Sequence, residues 1–273
     1  MLFIQYKSGG GGCFLLIGKT AIITGGASGM GKAVGSRLAL DGARVCLLDT
    51  NQEKLNQTKA ELEEQNGIVR TTVCDVSKPE QVERAILETV EAWGRIDIVF
   101  ANAGIVGVRS PIETMEVDNW DKVININLRG AFLTVKYAIP FMKEQGGSVI
   151  ITSSVSGNRV FSQAGFTAYS TSKAALVGFM KMAALELSTY NIRVNAICPG
   201  GVETEFGKSI ERSPDLENIQ IPINFPKGDK PLEKKSAKPG QVADLVYFLA
   251  SDLSSHISGT EIYIDGTESL LKG

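Results

Sequence analysis

The stretch Lys19-Thr20-Ala21-Ile22-Ile23-Thr24-Gly25-Gly26-Ala27-Ser28-Gly29-Met30-Gly31 decides the fold. Thr20 to Thr24 has the length and composition of a short buried strand, and Gly31 to Leu40 has helical periodicity closed by Asp41-Gly42. Between them lies a glycine-rich turn. Backbone N–H groups approach a pyrophosphate only where no Cβ intervenes, and the helix that follows offers its positive end to an anion. A second apolar strand, Arg44 to Asp49, ends in an acid 18 residues after Gly31. A carboxylate there accepts both hydroxyls of an adenosine ribose and repels a 2′-phosphate. Neither Ala27-Ser28 nor Thr50 offers a basic residue to grip that phosphate, so the pattern predicts NAD rather than NADP.

The alternation continues outward. Asn51 to Gln65 reads as a polar helix stopped by Asn66-Gly67, Ile68 to Cys74 as a third strand, Pro79 to Trp93 as a helix and Ile96 to Phe100 as a fourth strand. Helical periodicity fills Val117 to Lys143, Ser148 to Ser153 is a fifth strand, and Tyr169 to Ser188 rides on a long helix. Ile192 to Ile197 and Glu261 to Ile264 bring the strand count to seven. Apolar strands flanked by helices imply a parallel sheet covered on both faces, and short connections imply right-handed crossovers. The expectation is an α/β chain: a single-domain Rossmann fold with a doubly wound seven-stranded parallel sheet and helices on both faces, over residues 18–273. Residues 1–17 are expected as a flexible N-terminal extension, because Met1 to Tyr6 lacks the cationic start and apolar length of a secretory signal and Gly9 to Gly12 follows. One segment, at about residues 205–240, breaks the pattern with five prolines; its apolar residues, among them Phe206, Ile210 and Leu216, favour a lid over a plain linker.

Composition removes several function classes. A net charge of −2 gives no field for nucleic acid or an anionic membrane, and no run approaches the roughly 18 apolar residues of a membrane span. The four cysteines (Cys13, Cys46, Cys74, Cys198) show no C-x-x-C spacing, and the last three lie in apolar runs, as expected of buried thiols in a reducing, cytoplasmic compartment. The single histidine, His256, sits in what reads as a helix end and turn, which argues against His-based metal sites and an imidazole-centred triad. No metal is expected.

Downstream, Tyr169-Ser170-Thr171-Ser172-Lys173 puts a phenol and an ammonium on one face of a helix. Free tyrosine titrates near ~10, and nearby positive charge favours phenolate. A proton-transfer group beside a bound dinucleotide implies redox chemistry at a carbon–oxygen bond. Taken in order, Thr24-Gly-x-x-x-Gly-x-Gly31, Asp75-Val76, Asn102-Ala103-Gly104, Asn127, Ser153-Ser154, Tyr169-x-x-x-Lys173 and Pro199-Gly200 resemble the motif series of the classical short-chain dehydrogenase/reductase family, from about Gly18 to Gly266.

The resemblance implies roles residue by residue. Gly25, Ser28, Gly29, Met30 and Gly31 would cradle the cofactor phosphates, and Asp49 would take the ribose. Asp75 and Val76 would border the adenine, with Asn102, Ala103 and Gly104 supporting the cofactor from the fourth strand. Pro199, Gly200, Val202 and Thr204 would cover the nicotinamide carboxamide and start the lid. Lys173 would hold the nicotinamide ribose and lower the Tyr169 pKa, and Tyr169 would exchange the proton of the alcohol. Ser154, chosen over Ser153 because Val155-Ser156-Gly157 follows it, would hydrogen-bond the reacting oxygen. Asn127 would break a helix ladder and anchor a water leading protons towards Lys173. The long helices at Val117 to Lys143 and Tyr169 to Ser188 would pack in a homotetramer, or a dimer.

The expected activity is hydride transfer between NAD(H) and a secondary alcohol or ketone. Ser156, Asn158, Arg159 and Gln163 favour a sugar or polyol, although Val160, Phe161 and Phe166 share the same loop. A 3-oxoacyl thioester, hydroxy-acid or steroid-type substrate is the alternative. A non-catalytic NAD-binding scaffold is the rival of another class; the presence of Asn127, Ser154, Tyr169 and Lys173 together opposes it.

Overall fold

Seven strands, β1 (Thr20–Thr24), β2 (Arg44–Asp49), β3 (Ile68–Val73), β4 (Ile98–Ala101), β5 (Gly147–Thr152), β6 (Ile192–Pro199) and β7 (Glu261–Ile264), pair in parallel in the order β3-β2-β1-β4-β5-β6-β7. The computed structural model describes residues 15–226 and 228–272. The helices are α1 (Gly29–Leu40), α2 (Gln52–Glu64), α3 (Pro79–Trp93), α4 (Val117–Ile124), α5 (Gly130–Ala138), α6 (Thr167–Leu187), α7 (Pro239–Ala250) and α8 (Glu268–Lys272). Side chains alternate across the sheet as strand geometry requires. Ile22, Cys46 and Leu48 face a core shared with α3, α5 and α6, whereas Ala21, Ile23, Val45 and Leu47 face one shared with α1, α2 and α7. The fold is the doubly wound Rossmann arrangement expected from the sequence.

The order places β4 beside β1, with Ala21 opposite Ile98 and Ile23 opposite Phe100. The chain winds outward from β1 to β3 and then returns to build the other half, so the loops after β1 and β4 leave in opposite directions. A crevice opens between them at the carboxyl ends of the strands, the usual ligand position in such sheets.

Three segments depart from expectation. The periodic stretch Val117 to Lys143 is interrupted: α4 passes into a π-helical turn at Asn125–Arg129, where the resemblance placed a break at Asn127 and where the Gly130 N–H donates to the Asn125 carbonyl, and α5 ends in a short 3₁₀ turn at Ile139–Phe141 containing Pro140. Proline lacks an N–H and cannot continue the ladder. Of the expected extension, residues 1–14 lie outside the described residues, but Leu15 to Ile17 belong to the domain. The Leu15 and Leu16 N–H groups donate to Asp41 Oδ2 at 2.8 and 3.0 Å, and Leu16 is fully buried. The segment expected as a lid forms 3₁₀ turns at Glu205–Ser209 and Pro214–Ile219, and its expected bounds run into α7, which begins at Pro239 and buries Val242, Val246 and Leu249 against the sheet.

Among the described residues no helix is long and apolar enough to cross a membrane. His256 is exposed in a turn. Replacing Leu16 by Ala is expected to lower unfolding free energy by about 2–5 kcal/mol. Urea denaturation measures this, and an unchanged midpoint would put Leu16 outside the cooperative core.

Candidate active site

The turn between β1 and α1 is tightly closed. A Cβ on Gly31 would stand 2.0 Å from the Gly25 carbonyl oxygen, and Gly29 adopts φ +53°, so both positions demand glycine. Ser28 caps α1 in extended conformation without a side-chain hydrogen bond, and no acidic residue occupies the first turn. The positive end of α1 is therefore left uncompensated. Asp49 closes β2 beside this turn; its Oδ2 accepts from the Ala27 N–H at 3.2 Å and its Oδ1 from the Asn51 N–H at 3.0 Å.

The ends of β1, β4 and β5 are interlocked through Asn102. Thr24 Oγ1 accepts from the N–H groups of Asn102 and Ala103 at 2.9 and 3.1 Å. Asn102 Nδ2 donates to the Thr24 carbonyl at 3.1 Å, and Asn102 Oδ1 accepts from the Thr152 hydroxyl at 3.2 Å.

These elements wall a cleft of about 490 Å³. Of the residues expected at the site, Gly25, Ser28, Gly29, Met30, Asp49, Asn102, Ala103, Gly104, Ser154, Tyr169, Lys173, Pro199, Gly200, Val202 and Thr204 all line it. Gly31, Asp75, Val76 and Asn127 are not on its wall. Gly31 acts through the close approach just described. Asp75 Oδ1 accepts from the Ser77 N–H and hydroxyl at 2.9 and 2.7 Å, which engages one oxygen of the carboxylate locally. Val76 is buried against Gly130.

The side chain of Asn127 is fully engaged. Its Oδ1 accepts from the Ile105 N–H at 2.8 Å, and its Nδ2 donates to the Ile105 carbonyl at 2.8 Å and to Ser172 Oγ at 3.0 Å. Between the two serines the geometry is equally clear. Ser153 Oγ donates to the Lys173 carbonyl at 2.8 Å, while Ser154 Oγ accepts from the Ser156 N–H at 3.1 Å and also bonds the Tyr169 phenol.

Lys173 is buried, with Nζ 5.6 Å from the centre of the Tyr169 ring and donating to the Thr152 carbonyl at 2.7 Å. Burial pushes its ammonium down to about 8. Burial also pushes the Tyr169 phenol above its ordinary value, and the Ser154 hydrogen bond offsets only part of this. Desolvation disfavours the charged form of both groups and is the largest influence on each.

Beside the phenol, Phe166 meets Tyr169 edge-on at 5.7 Å between ring centres, and Phe206 from the 205–238 segment lies 6.4 Å from the same ring. Val106, Val155, Val160 and Ile210 add apolar wall. Of the four polar loop residues, Ser156 and Gln163 line the cleft. Asn158 instead bonds Glu261 and Tyr263, and Arg159 stacks 3.4 Å over the Tyr263 ring. The sequence reading missed Asp229, Lys230, Glu268 and Lys272, which also line the cleft. The Glu268–Lys272 spacing was the available signal. Among the described residues no cluster of His, Cys, Asp or Glu could hold a metal.

The family model for enoyl-(acyl carrier protein) reductase matches residues 25–267. The chain is 39% identical over 255 residues to levodione reductase of Leifsonia aquatica, covering 92% of this chain and 94% of that protein. It matches the crystal structure of a 3-ketoacyl-ACP reductase from Sinorhizobium meliloti with a TM-score of 0.87 at 38% identity, over 92% of this chain and 99% of that one. Carveol dehydrogenase from Mycobacterium avium, crystallised in complex with NAD, matches with a TM-score of 0.83 at 27% identity, over 94% and 99% of the two chains. The chain belongs to the short-chain dehydrogenase/reductase family of oxidoreductases.

Lys173 also makes stability depend on pH. Between about pH 8 and 10.5 the unfolded chain holds the Lys173 proton more tightly than the folded one, so unfolding free energy gains up to about 1.4 kcal/mol per pH unit from this group as pH rises. Urea denaturation of wild type and Lys173→Met across that window is expected to shift the difference in favour of wild type. A difference independent of pH would mean that the ammonium is not held down.

Proposed function

We propose that the protein is an NAD-dependent dehydrogenase/reductase acting on a secondary alcohol or ketone carried by a compact, largely apolar body. The observation that carries this reading is the convergence on one cleft of the uncompensated α1 terminus, Asp49, and the Ser154–Tyr169–Lys173 group beside apolar walls. The residues fit the cofactor: the glycine turn has no room for side chains, and the Asp49 carboxylate stands where a ribose diol needs an acceptor and a 2′-phosphate would be repelled. The similarity to a carveol dehydrogenase crystallised with NAD supports the same choice. NAD supplies the hydride acceptor, or in its reduced form the donor.

The chain's own groups handle the proton and the oxygen. Tyr169 takes the alcohol proton in oxidation and returns it in reduction, and the Ser154 hydroxyl donates to the reacting oxygen as charge develops there. Lys173, anchored on the Thr152 carbonyl, brings positive charge to the phenol and holds the nicotinamide ribose. Pro199, Gly200, Val202 and Thr204, with Asn102 to Gly104 across the cleft, line the wall that would hold the nicotinamide end of the cofactor. Asp75 and Val76, which lie off the cleft wall, would reach only the adenine end of the cofactor. The Asn127 amide is taken up by Ile105 and Ser172, so it ties the loop after β4 to α6 next to Lys173.

The wall supports a substrate other than a sugar or polyol. Two of the four polar residues on which that preference rested, Asn158 and Arg159, are turned to β7, and Phe166 and Phe206 flank the phenol. The relatives named levodione reductase and 3-ketoacyl-ACP reductase point the same way. Buried Cys46, Cys74 and Cys198, all unpaired, fit a reducing, cytoplasmic setting. Exposed Val117, Phe132, Met182 and Leu185 on α4, α5 and α6 support a homotetramer. Light scattering after gel filtration should give four chains per particle, whereas a monomer would leave that apolar face unexplained.

NADH oxidation with a cyclic diketone, a 3-oxoacyl thioester, a hydroxy acid and the polyol-derived ketoses ranks the substrates. The cyclic ketone is expected to be turned over most efficiently, and Tyr169→Phe to lose about 10²–10⁴-fold in turnover while still binding NADH. Turnover confined to ketoses would reverse the substrate reading, and full activity in Tyr169→Phe would support the scaffold.

A further inference from the structure

Four charged side chains line the cleft beside the Pro199–Gly201 turn and take no part in the chemistry above: Glu268, Lys272, Lys230 and Asp229. Glu268 lies just beyond Gly266, where the motif resemblance stops, and is only 7% exposed. Its Oε2 accepts from the Gly201 N–H at 3.2 Å and from Lys230 Nζ at 2.5 Å, and its Oε1 from Lys272 Nζ at 2.5 Å. Lys272 also pairs with Asp229. Two cations and two anions thus neutralise one another, the condition under which buried charge is tolerated. The lysines hold the Glu268 carboxyl below its ordinary value despite burial.

The main chain is shaped to this carboxylate. A Cβ on Gly200 would stand 3.0 Å from Glu268 Oε2, and one on Gly201 would stand 2.9 Å from Lys230 Nζ. The covering segment is stitched to the same place: the Ala237 N–H donates to the Gly201 carbonyl and the Glu203 N–H to the Ala237 carbonyl, each at 2.9 Å, and the Leu232 N–H donates to the Gly266 carbonyl at 3.3 Å.

We propose that Glu268 is a positioning residue for cofactor binding: from α8 it fixes the main chain of Pro199–Gly201 and, through Lys230, holds the segment at residues 205–238 down over the cleft. The inference rests on the reading of the cleft as an NAD site. Pre-set geometry of this kind appears as affinity, because less ordering remains to be done on binding. Loss of the carboxylate charge leaves two lysines with one partner, so the turn and the segment loosen together.

NADH fluorescence titration, steady-state kinetics and limited proteolysis of the 205–238 segment on wild type, Glu268→Gln and Lys230→Met test this. Glutamine keeps the size and one acceptor but not the charge. The Kd and KM for NADH are expected to rise ~10-fold in Glu268→Gln. Turnover at saturating NADH should fall roughly threefold at most, and the segment should be cut faster. Lys230→Met, which leaves Glu268 on Gly201 and Lys272, should move the same quantities less. Unchanged Kd and cleavage in both variants overturn the proposal, as does a loss confined to turnover. Should Glu268→Gln fail to fold by circular dichroism, an unchanged Kd in Lys230→Met overturns it alone. Wild type that fails to bind NADH defeats the functional reading instead, and the cleavage rates then decide whether the cluster restrains the segment.

Discussion

The Gly25 carbonyl oxygen occupies space that a β-carbon at position 31 would need, and the ends of β1, α1 and β4 are arranged around that approach. Because the turn is this tight, α1 begins directly over the strand end, its first N–H groups meet the crevice, and Asn102 from β4 reaches the Thr24 and Gly25 carbonyls. A larger residue at either position would push the helix outward and separate the strand ends that carry the ligand groups. The residues proposed for catalysis depend on the same frame at one remove, since Thr152, which anchors Lys173, bonds Asn102.

Charge at the site is governed by water exclusion more than by pair attraction. The phenol and the ammonium lie on one helix face, where Coulomb attraction alone would favour phenolate beside ammonium. Yet each is shifted towards its neutral form. Water exclusion thus holds the phenol protonated and eases proton loss from the ammonium, and a positive charge entering the cleft would favour the phenolate.

Much of this was legible in the sequence because the cofactor groups sit at strand ends, where local pattern and function coincide. Thr20 to Thr24, Arg44 to Asp49 and Glu261 to Ile264 coincide with β1, β2 and β7 residue for residue. Site residues on these strand ends and on the loops that follow them could be found from their place in the alternation. What escaped depends on contacts distant in the chain. The π-turn forms where Asn127 grips Ile105; helical periodicity carries no mark of that grip, and the break at Asn127 was expected from the family resemblance alone. Glu268 meets Lys230 from 38 residues away, and Leu16 is anchored to Asp41 in the turn after α1. The diversion of Asn158 and Arg159 to β7 is of the same kind: composition records that a loop is polar, not which way its side chains turn.

The strand order has a consequence for how the protein becomes stable. The units from β1 to β3 can form from neighbouring parts of the chain, but the crevice does not exist until β4 has come back across them to lie beside β1. A dinucleotide therefore finds its site only in chains that have completed this late, long-range pairing. Ligand present at a hundred times its dissociation constant would add about 2.7 kcal/mol to the folded side of the balance. In a cell, the abundance of the protein would then follow the supply of its cofactor, because chains without it are withdrawn sooner through their unfolded state.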